Sequence, residues 1–376
     1  MTARLREASD ALHERVQAFA AGAREDFDEL ALAIARFQAE ASPGYQRLLR
    51  ARGASLTSAD EIVPVPSDAF RLTRVATFAP ELDALRFYTS GTTGSERGTH
   101  AMRRRDTYEK LSLAFGRRAL LGPRGRAVVV ALAPRPEDPP TSSLAYMMAR
   151  FMEQFDGERL GELEPAFSSR SGCRWLLRED GVDFANLERA SRVAAERGSP
   201  VLLLGTAFAL VRLVDDRGQH QLSLPPGSVV MQTGGFKGRS REVTLEELRA
   251  AVSGALAVEP ARVVGEYGMT ELTSQLYEAS ITESELRRAH PGAEPGTYFE
   301  PPWLRVTPVD PIDLRPVANG EAGLARFTDL GNVDSAVSVV TQDLVRRSGG
   351  GIQLLGRQPG APARGCSLAI EALLRD

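Results

Sequence analysis

A chain of 376 residues, 43% hydrophobic and 25% charged, has the composition of an ordinary globular protein with material for roughly two to three domains. Its net charge of −3 excludes the basic footprint of a nucleic-acid binder, and no run approaches the roughly 18 apolar residues of a membrane span. Cys173 and Cys366 are too few for a disulfide framework. A reduced, cytoplasmic setting is therefore expected, and the N-terminus, MTARLREASDALHERV, has no signal-peptide core. Four histidines (His13, His100, His220, His290) lie far apart without a Cys/His grouping, so a zinc site is not expected. Nearly all cations are arginines; Lys110 and Lys237 are the only lysines.

In chain order, apolar residues at helical spacing predict a helix over 4–40, with one wider step between Phe19 and Phe27 and a stop at Pro43–Gly44. Residues 60–87, broken by three prolines, read as loop, and Ala84–Thr89 as a strand entering a glycine-rich loop. Helices are predicted at Arg103–Arg117, Ser142–Phe155 and Phe184–Arg197, with a further one running through Val214. Thr244 and Glu247 form a capping box for a helix ending near Ala257. Between them lie apolar strands at Ala127–Leu132, Val201–Gly205, Ser228–Met231 and Arg262–Tyr267. This alternation predicts an α/β fold whose mainly parallel sheet is covered by helices and binds ligands at the strands' carboxyl ends. From Tyr298 onward, short strands separated by Pro, Gly and Asp predict a smaller β-rich subdomain, dividing the chain into 1–297 and 298–376.

Four segments are candidates for chemistry. Tyr88–Gly98, YTSGTTGSERG, combines three glycines, five hydroxyls and Arg97. Such a loop suits phosphate oxygens, and equally a surface turn. Tyr267–Glu271, YGMTE, sets one carboxylate where it could hold Mg²⁺ beside phosphates or simply begin a helix. Asp343 in TQDL could accept from a ribose diol or merely end a strand. Arg357 could meet a phosphate or lie on the surface.

In this order, YTSGTTGSERG, YGMTE, TQDL and GR resemble the adenylate-forming superfamily of acyl ligases and carrier-loading enzymes. The resemblance implies the fold of that superfamily's core and activation of a carboxylic acid by ATP to acyl-AMP, with pyrophosphate leaving. It implies that Thr89, Ser90, Gly91, Thr92, Thr93 and Gly94 cradle phosphates, with Arg97 where lysine is common. Tyr267, Gly268, Met269 and Thr270 would serve AMP, Glu271 would hold Mg²⁺, Asp343 the ribose, and Gly234 and Gly235 the adenine. Only residues 358–376 follow Arg357, none of them a lysine, so the mobile C-terminal lid with its catalytic lysine is expected to be lacking.

The ending GRQPGAPARGCSLAIEALL, with SSL at 142–144 and QTGGFKGR at 232–239, resembles the acyl-protein synthetase (LuxE-type) family. That resemblance implies a thioester on Cys366 and delivery of an acyl group, a fatty one being expected, to a reductase, a carrier protein or CoA. Residue chemistry allows two states for this cysteine. A predicted helix at Leu368–Leu374 and the adjacent Arg364 would favour thiolate, whereas a small buried apolar cysteine is the common alternative. Lys237 could bind phosphate or carboxylate in place of the lid lysine, or remain a solvated loop lysine. Two other functions fit the same residues: an adenylation-deficient acyltransferase working from acyl-CoA through Cys366, and a non-catalytic nucleotide-binding subunit of a reductase complex.

Overall fold

A computed structural model describes residues 1–89, 97–122, 125–156, 172–218, 220, 222–234, 244–358 and 364–374. Side chains of Thr2 and Asp26 accept first-turn backbone N–H groups and start α1 (Ala3–Ala20) and α2 (Phe27–Ala41). The single helix expected over 4–40 is thus two. Gly22, with φ of 100°, turns the chain between them, and the wide step in the apolar pattern marks that break. α3 (Pro43–Arg52) follows at once, capped by Ser42 with Pro43 in its first turn, so the residues that end one helix open the next.

β1 (Val65–Pro66) and α4 (Ala69–Leu72) precede a hairpin of β2 (Leu85–Tyr88) and β3 (Thr99–Met102), in register from Leu85↔Met102 to Tyr88↔Thr99. Then come α5 (Arg105–Leu120), β4 (Val128–Leu132) and α6 (Ser143–Phe155). A short ribbon of β5 (Leu177–Arg178) and β6 (Gly181–Val182) leads to α7 (Phe184–Glu196). β7 (Val201–Thr206), α8 (Ala207–Asp216), β8 (Val229–Thr233), α9 (Leu245–Leu256) and β9 (Val263–Tyr267) alternate, with the Thr244–Glu247 capping box formed. β4, β7, β8 and β9 pair in parallel, as the strand–helix alternation requires.

Strand alternation makes two cores of this sheet. Val128, Val130, Leu203, Val230 and Val263 face Leu187, Leu210, Leu248 and Val252 of α7, α8 and α9. Val129, Ala131, Leu202, Leu204, Met231 and Val264 face the side covered by α5 and α6, with Phe115, Met147 and Phe151. The strands are therefore apolar along most of their length, with polar residues confined to the carboxyl ends of β7, β8 and β9, as expected for a sheet buried on both faces.

The sheet continues through β10 (Leu276–Glu278), α10 (Glu285–Ala289), β11 (Thr297–Phe299), β12 (Leu304–Val309), β13 (Ala322–Asp329), β14 (Ser338–Ser348) and β15 (Gly351–Arg357). Its order is β12-β13-β14-β15-β11-β10-β9-β8-β7-β4, with β1 parallel to β14, and pairing is antiparallel from β9 through β10 to β12. The C-terminal part is β-rich as expected. It joins the main sheet, however, and the boundary expected at 297/298 falls inside β11. The terminal helix, α11 (Arg364–Leu374), packs on α3 and β1. It starts earlier than expected and contains Cys366. No helix among the described residues is long and apolar enough to cross a membrane.

Candidate active site

The β2–β3 hairpin carries the glycine-rich loop at its tip. Ser90, Gly91, Thr92, Thr93 and Gly94 lie outside the described residues, but the loop's base is well defined. Thr89 N donates to Gly98 O at 2.9 Å, and Gly98 N donates to Thr89 Oγ1 at 2.9 Å. A Cβ at Gly98 would stand 3.0 Å from Thr89 Cγ2, so a larger residue here would press on the Thr89 side chain. Arg97 is exposed beside it. One residue into β3, His100 is buried and turned inward. Its Nδ1 donates to Thr270 O at 2.7 Å, and its Nε2 accepts from Ser335 Oγ at 3.0 Å. Burial pushes its pKa down to about 4, so the ring stays neutral and holds this tautomer. The hairpin is thereby tied to YGMTE across 170 residues of sequence.

YGMTE leaves the carboxyl end of β9. Gly268 sits where an added Cβ would meet Glu266 Oε1 at 2.6 Å. Met269 accepts through its carbonyl from Leu272 N at 3.2 Å, closing a turn. Asn332 Nδ2 donates to Glu271 O at 2.9 Å. Just downstream, buried Asp329 accepts from Thr273 N and Ser274 N, each at 2.9 Å, and from Ser274 Oγ at 2.7 Å. The end of β13 thus clamps the segment that carries Glu271. Glu271 is 9% exposed. It lies close enough to Tyr267 to help raise that phenol's pKa.

Asp343 and Arg357 are cross-strand partners on β14 and β15, with Arg357 Nε 3.4 Å from Asp343 Oδ1. Tyr267 Oη donates to Asp343 Oδ2 at 2.7 Å. Burial and the Asp343 and Glu271 carboxylates hold the Tyr267 phenol well above its ordinary range, so it remains a neutral donor. Its ring stacks on Phe327, centroids 5.8 Å apart, which fixes the direction of that donor. The structure therefore joins three of the four predicted segments: Tyr267 to Asp343 to Arg357, with Thr270 held by the base of the fourth.

At the end of β8, Gln232 Nε2 donates to Gly234 O at 2.7 Å, while Gln232 Oε1 is buried without a hydrogen-bond partner among the described residues. Gly234 has φ of 71°. Gly235 and Lys237 lie outside the described residues. The neighbouring Glu266 is buried, receives the Thr233 hydroxyl, and is pushed by burial up to about 7. Sequence reasoning did not single out His100, Asn332 or Glu266. A charged residue inside the apolar strand Val263–Tyr267 was the available signal for Glu266; His100 and Asn332 had none.

Cys366 does not join this constellation. It is 2% exposed and packs with Val309, Leu314, Leu324, Val340 and Leu344. Its pKa is pushed up to about 11, by desolvation first and then by Asp68, against a smaller opposing effect of Arg52. Of the two states that the sequence left open, the structure has the buried apolar cysteine, whose loss of water is the largest effect on its pKa. Leu344 and Val340 face Cys366, whereas Asp343, the next residue on β14, faces Tyr267. The thiol and the Asp343 carboxylate lie on opposite faces of one strand.

No family model matches the sequence, and no curated protein does. Among solved structures, the chain superposes on 2-hydroxyisobutyryl-CoA ligase in an open conformation with 2-HIB-AMP and CoA. That match has a TM-score of 0.60 and 13% identity, covering 88% of this chain and 74% of the other. The same ligase in its postadenylation state with R3-HIB-AMP gives 0.60 and 13%, over 88% and 67%. In the thioesterification state it gives 0.59 and 15%, over 95% and 69%. The chain has the adenylate-forming fold. The fold expected from the motifs is therefore present, with a large mixed sheet and a smaller β-rich C-terminal region.

Two observations bear on ligands. Asp343 receives Tyr267 on one oxygen and faces Arg357 with the other, retaining lone pairs for a diol, and Gln232 Oε1 is a buried acceptor without a donor among the described residues, suited to an exocyclic amine. These residues fit a nucleoside. For a metal, no group of three or more His, Cys, Asp or Glu residues converges among the described residues. Glu271 alone fits Mg²⁺ in the manner of a cation bound largely by phosphate oxygens and water.

Proposed function

We propose that the chain activates a carboxylic acid with ATP to an acyl-AMP and passes the acyl group on as a thioester. The observation that carries this reading is the junction of Tyr267, Asp343 and Arg357 beside Thr270 and the hairpin base. In the first half-reaction, the acid's carboxylate oxygen bonds to the α-phosphorus and the bond to the pyrophosphate oxygen breaks. Asp343, oriented by Tyr267, would hold the ribose diol. Gln232 and Gly234 would face the adenine, and Arg357 and Arg97 would meet phosphate oxygens. Glu271 would hold Mg²⁺, which supplies charge neutralisation on the phosphates. Such a displacement needs positioning and electrostatics more than covalent help from the protein.

In the second half, Cys366 would attack the acyl carbonyl as thiolate with AMP leaving, as in acyl-protein synthetases of the LuxE type. A reductase, a carrier protein or CoA would then accept the acyl group. This step requires α11 to leave its apolar seat and the thiol to lose a proton. The burial of Cys366 favours a second reading, an AMP-forming acid ligase that delivers the acyl group directly to CoA, with Cys366 structural. Acid-dependent ATP–pyrophosphate exchange tests the shared first half, and its absence across an acid panel would remove both readings. Hydroxylamine-sensitive acyl label on the wild type but not on Cys366→Ala supports the relay; label on both, or on neither while CoA thioester forms, supports the direct ligase.

A further inference from the structure

A cleft of about 340 Å³ opens beside the hairpin, and of the charge that lines it only Arg97 has a place in the site described above. Arg71, Arg74, Arg86 and Arg97 line it, with Tyr88 and Thr99 between them. Strand alternation separates it from the nucleotide side. Tyr88 pairs with Thr99 and Arg86 with Ala101 on the cleft face, while Phe87 and His100 point the other way, His100 to Thr270. Arg86 and Arg74 are anchored by a single carboxylate: Asp83 lies 2.5 Å from each and is 8% exposed. Among the described residues, Arg71 has Asp68 alone, at 4.0 Å. Two described carboxylates therefore stand against four guanidiniums, an excess of positive charge on the described part of the cleft. Arg71 keeps 46% of its side chain exposed, so its fork is open to a ligand, and Arg86, whose Nε and one Nη donate to Asp83, is 43% exposed.

Preorganised arginines beside hydroxyls form a recognition surface for an anion such as phosphate rather than for a neutral or apolar ligand. The cleft also leads toward the proposed acceptor chemistry. Asp68, which pairs with Arg71, accepts from Gln342 Nε2 at 3.1 Å on the face of β14 that Cys366 occupies. We propose that this cleft binds the phosphate groups of a phosphopantetheine-type acyl acceptor, free as CoA or carried on a protein. The proposal rests on the acid-activating reading for its acceptor, but its test does not.

Titration calorimetry on the full chain would use CoA, 4′-phosphopantetheine and pantetheine as probes. CoA is expected to bind, pantetheine to bind at least tenfold more weakly, and the double variant Arg71→Gln/Arg86→Gln to bind CoA at least tenfold more weakly than wild type, as expected for lost charge-assisted hydrogen bonds. Arg71→Lys should recover part of the affinity, and acid-dependent exchange should be unchanged in the double variant. If 4′-phosphopantetheine matches CoA, the cleft takes the pantetheine phosphate; if it falls far below CoA, the cleft takes the nucleotide-end phosphates. Equal binding of CoA and pantetheine, or of CoA by wild type and double variant, would overturn the assignment. So would a double variant that loses pyrophosphate affinity while keeping CoA affinity, since the occupant would then be the leaving group. Exchange missing from the wild type, with CoA binding still cleft-dependent, would sink the acid-activating reading and leave the cleft assignment standing.

Discussion

Alkylation of Cys366 by iodoacetamide is the sharpest check on the C-terminal helix. The reactive form is the thiolate, and with a pKa of about 11 only about one thiol in a thousand is ionised near pH 8. At the ordinary value of 9.0 the fraction would be about one in ten. Titration alone therefore slows Cys366 about a hundredfold, and its 2% exposure slows it further. Cys173 in the same chain is partly exposed and serves as internal control. Mass spectrometry of timed samples should find Cys173 modified long before Cys366. Equal rates in the unliganded protein would refute the apolar seat. Adding ATP and an accepted acid should convert Cys366 to a hydroxylamine-sensitive acyl adduct that iodoacetamide cannot modify if the thioester relay operates, and hydroxylamine should return the free thiol. Unchanged alkylation while exchange proceeds would refute the relay and leave direct transfer to CoA. The same burial carries a stability consequence. A raised pKa means that the neutral thiol is favoured in the fold, so this contribution is fully present below pH 9 and is lost as pH rises toward 11, by up to ~3 kcal/mol.

Asp343→Asn should weaken ATP binding roughly tenfold to a hundredfold, with little change in melting temperature, because the Tyr267 donor keeps an acceptor; calorimetry giving wild-type affinity would take Asp343 off the ribose. Glu266→Gln should be more stable than wild type above pH 7 and lose that advantage near pH 4.5. Burial raises this carboxyl from 4.5 to about 7, so its protonated form suits the fold and up to ~3 kcal/mol is lost as pH climbs through that window. Urea titrations at both pH values check this, and a pH-independent difference would sink it. Gly268→Ala should cost about 1–3 kcal/mol and depress exchange, since the new Cβ would stand 2.6 Å from Glu266 Oε1 and displace the start of YGMTE. Wild-type exchange in that variant would mean the turn is slack.

The fold was legible where a local rule decided the outcome. Apolar runs fixed the parallel strands, since Val128–Leu132 and Val201–Thr206 are buried on both faces, and Thr244 with Glu247 placed the start of α9. The break between α1 and α2 was written in the wide step across Gly22, which an otherwise regular apolar pattern concealed. That β11 ties the C-terminal strands into the main sheet was not legible, because Thr297–Phe299 pairs with a strand some fifty residues later, and such pairing leaves no local mark. For the candidate site, the motifs named the residues, but their joining was hidden. That His100 would reach Thr270, and Tyr267 reach Asp343, depends on sheet order rather than on spacing.

The state of Cys366 was the least legible feature, and the reason bears on function. Sequence shows a helix start and a neighbouring arginine, both local effects that lower a thiol's pKa. It does not show that Val340 and Leu344 alternate onto the face of β14 beneath that helix. Because Asp343 and Leu344 are consecutive, the proposed nucleotide contact and the thiol's apolar cover are set by one strand. The prediction is direct: Leu344→Ala should loosen the seat of α11 and raise Cys366 alkylation at least tenfold, while ATP–pyrophosphate exchange changes less than twofold. If exchange falls in parallel with the gain in alkylation, the two faces of β14 are coupled, and the relay reading gains the link between its half-reactions that it requires.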